Sequence, residues 1–213
     1  ISNPQLWQAI NSKTLEGLFM NDILNHTEYF KKYEHSLQGR YPTMQTALNL
    51  LVQFTDQPMI VETGCMRGFQ DWGAGMSTYL FAEFVTQFGG YFHSVDIAES
   101  NVEIAQYACQ DKIAHIHHSD SIEFLKSWDK GKIDLLYLDS FDMGNVASRA
   151  REASHHQLTE IETAFDKLND RALILLDDTN FIGQGKAGLS RAFLRTAGCV
   201  ELYNYQQSLW LKF

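Results

Sequence analysis

Cysteine is scarce in this chain of 213 residues: Cys65, Cys109 and Cys199 are far apart and lack CxxC spacing. An odd, scattered set argues against a disulfide framework and against a structural zinc site, and it suits a reducing cytoplasm. Proline is equally rare, at Pro4, Pro42 and Pro58, and no Pro/Ser-rich linker, internal repeat or low-complexity tract divides the chain. No stretch approaches the roughly 20 apolar residues of a membrane span. No basic-then-apolar signal segment opens the sequence, and since it begins at Ile1 rather than Met, preceding residues are expected. Positive charge is in short supply: 17 Lys and Arg face 26 Asp and Glu, a net charge of -9. Phosphate backbones and anionic lipid surfaces select a surplus of Lys and Arg, so neither nucleic acid nor a membrane is an expected partner.

What remains is a globular composition. With 45% hydrophobic, 13% aromatic and 20% charged residues, the chain suits one full-sized core and not a disordered polymer. Residues 5–40 carry Leu6, Ile10, Leu15, Leu18, Phe19 and Leu24 near helical spacing and contain no strand run, which predicts a helical cap over residues 1–41. Residues 42–213 form the predicted main domain, where short apolar runs alternate with helical segments. Strands are expected at 59–62, 91–95, 113–117, 133–138, 172–176, 200–205 and 208–213. Helices are expected at 42–54, 76–88, 99–109, 121–128, 148–168 and 186–196. Alternation of this kind gives a mostly parallel α/β sheet covered on both faces. The last two strands are linked too tightly for a crossover, so they form a hairpin and one of them runs antiparallel.

Ligands of open α/β sheets bind beyond the strands' carboxyl ends. Small polar or acidic residues follow five strands in a row: Glu62, Gly64 and Cys65; Asp96; Ser119, Asp120 and Ser121; Asp139, Ser140 and Asp142; Asp177, Asp178 and Asn180. Gly64, Gly73 and Gly75 remove side chains where backbone must approach a ligand or turn sharply, although an ordinary loop also uses glycine. Asp96 can accept both hydroxyls of a ribose, or it can cap the next helix. Asp139, Asp177 and Asp178 end neighbouring strands, and three converging carboxylates repel one another unless a cation or shared protons neutralise them. Oxygen donors without Cys or His suit Mg²⁺, Ca²⁺ or Mn²⁺, and capping is the competing use. The histidines His115, His117 and His118 read better as surface or core residues than as zinc ligands. Gly183-Gln184-Gly185-Lys186 lacks the spacing of a phosphate loop, so it reads as a helix start from which Lys186 can face the site.

Together these segments resemble a class I S-adenosylmethionine-dependent methyltransferase over residues 42–213. The first motif is similar to Glu62-Thr63-Gly64-Cys65 continuing to Gly73-Ala74-Gly75-Met76-Ser77-Thr78, with the insertion Met66 to Trp72; Gly64 and Gly68 give a second alignment. Asp96 matches the second acid, Ser119-Asp120-Ser121 the adenine-side motif, and Asp134-Leu135-Leu136-Tyr137-Leu138-Asp139 the fourth-strand motif. The resemblance implies a Rossmann-like, doubly wound, seven-stranded sheet. It also implies cofactor binding by Glu62, Gly64, Cys65, Gly73, Gly75, Ser77, Asp96, Asp120, Ser121 and Asp139. Within the class the chain is most similar to small O-methyltransferases of the catechol and macrocin-like kind. That likeness implies methylation of a small-molecule hydroxyl, with Mg²⁺ held by Asp139, Asp177 and Asp178 and Asp139 in a catalytic role; the chemistry also calls for a nearby base to take the hydroxyl proton, for which Asp142 or a histidine such as His155 is a candidate. Phe69, Trp72, Phe141 and Phe181 could stack a flat or sugar-like acceptor or serve packing alone. The N-terminal helices offer a surface for a homodimer. A nicotinamide-dependent oxidoreductase, a carboxylate-metal hydrolase and a non-catalytic binding domain remain alternative readings of the same residues.

Overall fold

The computed structural model describes residues 30–73, 76–142 and 147–213. The helices expected before residue 30 lie outside the described residues. The strands are β1 Met59–Thr63, β2 Tyr91–Asp96, β3 His115–His118, β4 Ile133–Leu138, β5 Leu168–Leu176, β6 Val200–Asn204 and β7 Ser208–Leu211. The helices are α1 Glu34–Leu37, α2 Tyr41–Phe54, α3 Ser77–Phe88, α4 Glu99–Ala108, α5 Ser121–Lys126, α6 Ala147–Ala164 and α7 Gly188–Thr196. None of the described helices is long and apolar enough to cross a membrane.

The strands make one sheet in the order β3-β2-β1-β4-β5-β7-β6. β1 to β5 are parallel, and β7 runs antiparallel to both β5 and β6. The short turn after β6 leaves no room for a crossover, so β7 folds back and inserts beside β5, and β6 takes the edge. This is the expected mostly parallel seven-stranded sheet with a C-terminal hairpin.

Each central strand feeds two cores. On β4, Leu135 and Tyr137 pack with Ile60, Phe81, Phe92 and Leu173 under α2 and α3. Leu136 and Leu138 pack on the opposite face with Val61, Val95, Ile174 and Trp210 under α5, α6 and α7. Burial on both faces is why these strands read as near-continuous apolar runs. The α2 helix shows the other periodicity, with Pro42 in its first turn and Met44, Ala47, Leu48 and Leu51 along its buried stripe.

Element boundaries depart from expectation where polar residues mask them. β5 begins at Leu168 rather than 172, because Asn169, Asp170 and Arg171 are exposed strand residues beside a register irregularity against β4. The helix predicted to reach 168 ends at Ala164 and tightens into a 3₁₀ turn, Phe165–Lys167. The segment expected to open a helix at 186 is a 3₁₀ turn, Ile182–Ala187, and α7 starts at Gly188. For the site, one feature of the topology matters most. After β1 the chain builds outward to β2 and β3, and β4 then starts the other half, so a crevice opens at the carboxyl ends of β1 and β4.

Candidate functional site

Gly64 makes that crevice. It follows β1 with φ +90, and its N–H donates to the Val95 carbonyl at 2.8 Å. A Cβ here would lie 2.5 Å from the Asp139 carbonyl oxygen, so only glycine lets the backbones after β1 and β4 approach this closely. A cleft of about 340 Å³ opens beside them, lined by Gly64, Cys65, Arg67, Asp96, Asn101, Asp139 and Asp142 among others. It continues into a recess of about 190 Å³ lined by Ile97, Asp120, Ser121, Phe141 and His156. Gly64, Asp96, Ile97, Ser140 and Phe141 line both spaces, which therefore form one groove.

Asp96 is held rigidly at the centre of the groove. Its carboxylate accepts the Cys65 N–H at 2.9 Å, the Ala98 N–H at 2.8 Å and the Asn101 side-chain amide at 3.2 Å. About one of its four or so lone-pair sites is left for a ligand hydroxyl. Asp120 caps α5, accepting from the Ile122 and Glu123 N–H groups at 2.9 and 3.1 Å, both on Oδ1. Beside it Ser121 Oγ lies 3.0 Å from His156 Nε2, and Ser140 Oγ donates to Glu160 Oε1 at 2.6 Å. The hydrogen bond to Glu160 raises the His156 pKa, against the effect of burial. His156, not His155, therefore joins the groove wall. Adjacent helical positions are about 100° apart, which leaves His155 exposed.

Two of the expected cofactor contacts sit beneath the groove. Glu62 is fully buried and accepts from Thr78 Oγ1 at 2.7 Å and Ser94 Oγ at 2.6 Å. Thr78 Oγ1 in turn accepts the Met66 N–H at 2.8 Å, so the carboxyl buttresses the loop that carries Cys65 and Met66. Burial pushes Glu62 up to about 7, opposed by the hydroxyls of Ser77, Ser94 and Thr78. Ser77 is buried in the same cluster and lines neither part of the groove. Cys65 lines the groove, and burial pushes its thiol well above the ordinary range. Gly73 faces a different pocket, of about 360 Å³, together with Arg40, Trp72, Asp178, Asn180 and Phe181. Gly75 lies outside the described residues. Asp142 is exposed at the groove mouth and pairs with Arg67 at 2.5 Å.

The acidic trio does come together, but two cations of the chain come with it. Arg40 Nε meets Asp177 Oδ2 at 3.0 Å and Oδ1 at 3.2 Å, and a second guanidinium nitrogen reaches Oδ2 at 3.0 Å. Tyr137 donates its hydroxyl proton to Asp177 at 2.9 Å. Lys186 donates to Asp139 Oδ1 at 2.6 Å and lies 3.3 Å from Asp178 Oδ2. Burial disfavours charge on Asp177, yet Arg40 and Lys186 outweigh it and hold this carboxyl below its usual pKa. Asp139 moves the other way: burial raises it, Lys186 opposes, and Asp177 and Asp178 raise it further. The expected Mg²⁺ ligands Asp139, Asp177 and Asp178 thus lie together, each paired with a cation of the chain itself. Among the described residues no group of three His, Cys, Asp or Glu side chains is arranged to hold a metal ion, and both Asp177 oxygens and one oxygen each of Asp139 and Asp178 already face guanidinium or ammonium hydrogens.

Residues 71–179, just over half of the chain, match the profile of a family described as methyltransferase domain. No curated protein matches the sequence. Among solved structures, the chain is similar to magnesium protoporphyrin IX methyltransferase from Synechocystis PCC 6803 with bound SAM, at 15% identity and TM-score 0.52, covering 98% of this chain and 90% of that one. It is similar to cofactor-bound Rv0187 from MTB at 15% identity and TM-score 0.54, covering 99% and 98%. A methyltransferase homolog protein from Pyrococcus horikoshii follows at 10% identity and TM-score 0.54, covering 79% and 67%. At such identities the likeness speaks for the fold.

Proposed function

The chain belongs to the methyltransferase-domain family, and from that premise we propose that it transfers a methyl group from S-adenosylmethionine to a hydroxyl of a small molecule. One observation carries this reading: Gly64, Asp96, Asp120 and Asp139, each from the end of a different parallel strand, border a single continuous groove. The groove divides as the donor does. The recess at Ile97, Phe141 and Asp120 suits a flat base with exchangeable hydrogens, and Asp96 suits the ribose. The wider part beside Gly64 and Asp139 suits the sulfonium and its amino-acid tail. The Synechocystis protein of the same fold was solved with SAM.

Methyl transfer from a sulfonium is an in-line displacement, so the protein's work is to position donor and acceptor and to manage charge. The 360 Å³ pocket bordered by Arg40, Trp72, Asp178 and Phe181 is the place for the acceptor. Asp139, held above the usual carboxylate pKa at the junction, is the group to accept the hydroxyl proton. No step passes through a metal ion, since the residues present do not fit one. Nicotinamide dinucleotides are the competing ligands for a glycine turn followed by an acid. Calorimetric titration separates the two: S-adenosylhomocysteine binds, NAD does not, and Asp96→Ala weakens binding by roughly tenfold or more, the scale of one lost charged hydrogen-bond partner. Tighter binding of NAD, or an Asp96→Ala protein with unchanged affinity, contradicts the proposal.

A further inference from the structure

Three carboxylates at adjoining strand ends are the donor set that a hard divalent ion selects, yet a lysine has been brought into their midst from the far side of a loop. Lys186 is 1% exposed, and an ammonium in such surroundings persists only when paired. Its partners are Asp139, Asp178 and the Phe141 carbonyl. The backbone is wound specifically to deliver it. Gly185 has φ +59, and a Cβ there would fall 1.7 Å from the Asp178 carbonyl oxygen. Asp178 itself stands at φ +58, a conformation that a non-glycine residue rarely adopts. Asp139 borders the groove and Asp178 borders the second pocket, so the ammonium sits at the junction of the two. Arg40 meanwhile serves Asp177, so two cationic side chains face the three carboxyl groups.

We propose that Lys186 is the resident cation of this site, occupying the position a divalent ion would need and holding Asp139 and Asp178 in register between donor and acceptor. Its chemical role rests on the methyl-transfer reading, whereas its exclusion of metal does not. Lys186 is a positioning residue. As the acceptor O–H bond breaks, the proton passes to the Asp139 carboxylate. The acceptor oxygen forms its bond to the methyl carbon while the sulfur–methyl bond breaks, and a neutral thioether departs. The lysine keeps its proton throughout.

The test is Mn²⁺ titration followed by electron paramagnetic resonance on chelator-treated protein, with S-adenosylhomocysteine affinity measured in parallel. The wild type and Lys186→Arg are expected to bind no Mn²⁺ at these carboxylates. Lys186→Met, with Lys186→Gln as the second variant should Met not fold, is expected to bind Mn²⁺ roughly tenfold more tightly or better. S-adenosylhomocysteine affinity of the wild type is expected to be the same with and without chelator. Stoichiometric Mn²⁺ binding by the wild type that Asp139→Asn or Asp178→Asn removes would overturn the proposal. So would a folded, neutral Lys186 variant that gains no Mn²⁺. Loss of S-adenosylhomocysteine binding in every protein, wild type included, would count against the methyl-transfer reading and leave the Mn²⁺ comparison intact.

Discussion

Glu62 shows how one residue can serve a ligand groove without entering it. Its carboxyl lies under the loop after β1, bonded to the hydroxyls of Thr78 and Ser94. Its folded pKa of about 7 stands above the ordinary 4.5, so the native state holds this proton more tightly than the unfolded chain does. The sign follows by linkage: the stabilisation is complete below about pH 4.5 and is lost as the pH rises through about 7. The loss is on the order of 3 kcal/mol, at 1.36 kcal/mol per pKa unit. Glu62→Gln removes this titration, so the wild type should lose that much stability relative to the variant across the window. Urea unfolding at both ends of the window measures it, and parallel pH profiles for the two proteins would refute the assignment. An acid at the end of the first strand is legible in the sequence. That it points down into the core is not, because strand alternation assigns Glu62 to the face of Ile60 only once the register is known.

At the scale of elements, α5 and α6 form the wall of the recess. Asp120 has two duties there, capping α5 through Oδ1 and bordering the recess. Asp120→Ala should cost about 1 kcal/mol of stability, the usual loss for a cap. Asp120→Ser should restore the stability, because a hydroxyl caps equally well, but leave S-adenosylhomocysteine affinity low. Thermal melts with parallel titrations separate the two effects, and recovery of both by Ser would reduce Asp120 to a cap. Along α6, Ala153, Gln157, Glu160, Ile161 and Ala164 trace the buried stripe, and His156 stands one turn before Glu160. That i, i+4 pair is the signal in the sequence that distinguishes His156 from His155. The central strand β4 and the second half of β5 are legible because both of their faces are apolar. The start of β5 is not, because Asn169, Asp170 and Arg171 look like a loop.

At the scale of the molecule, the sheet order explains why residues from four strand ends share one groove, and alternation of strands and helices already implied this. The neutralising cations were a different matter. The three carboxylates announce that a positive charge is required, and pattern alone points to an external ion. The charges come instead from Arg40, 137 residues away from Asp177 along the chain, and from Lys186, 47 residues away from Asp139. No local periodicity connects residues so distant; only the packing of the segment before α2 and of the turn before α7 against the sheet does so. The same packing sets two cavities side by side with the acidic trio at their junction, which is the arrangement a transfer reaction needs. A crystal structure of the complex with S-adenosylhomocysteine tests this account most directly. The ribose should lie at the Asp96 carboxylate, the adenine in the recess of Ile97, Phe141 and Asp120, and the sulfur near Gly64 on the side of Asp139. A nucleoside bound anywhere else, or a groove that stays empty at saturating ligand, would contradict it.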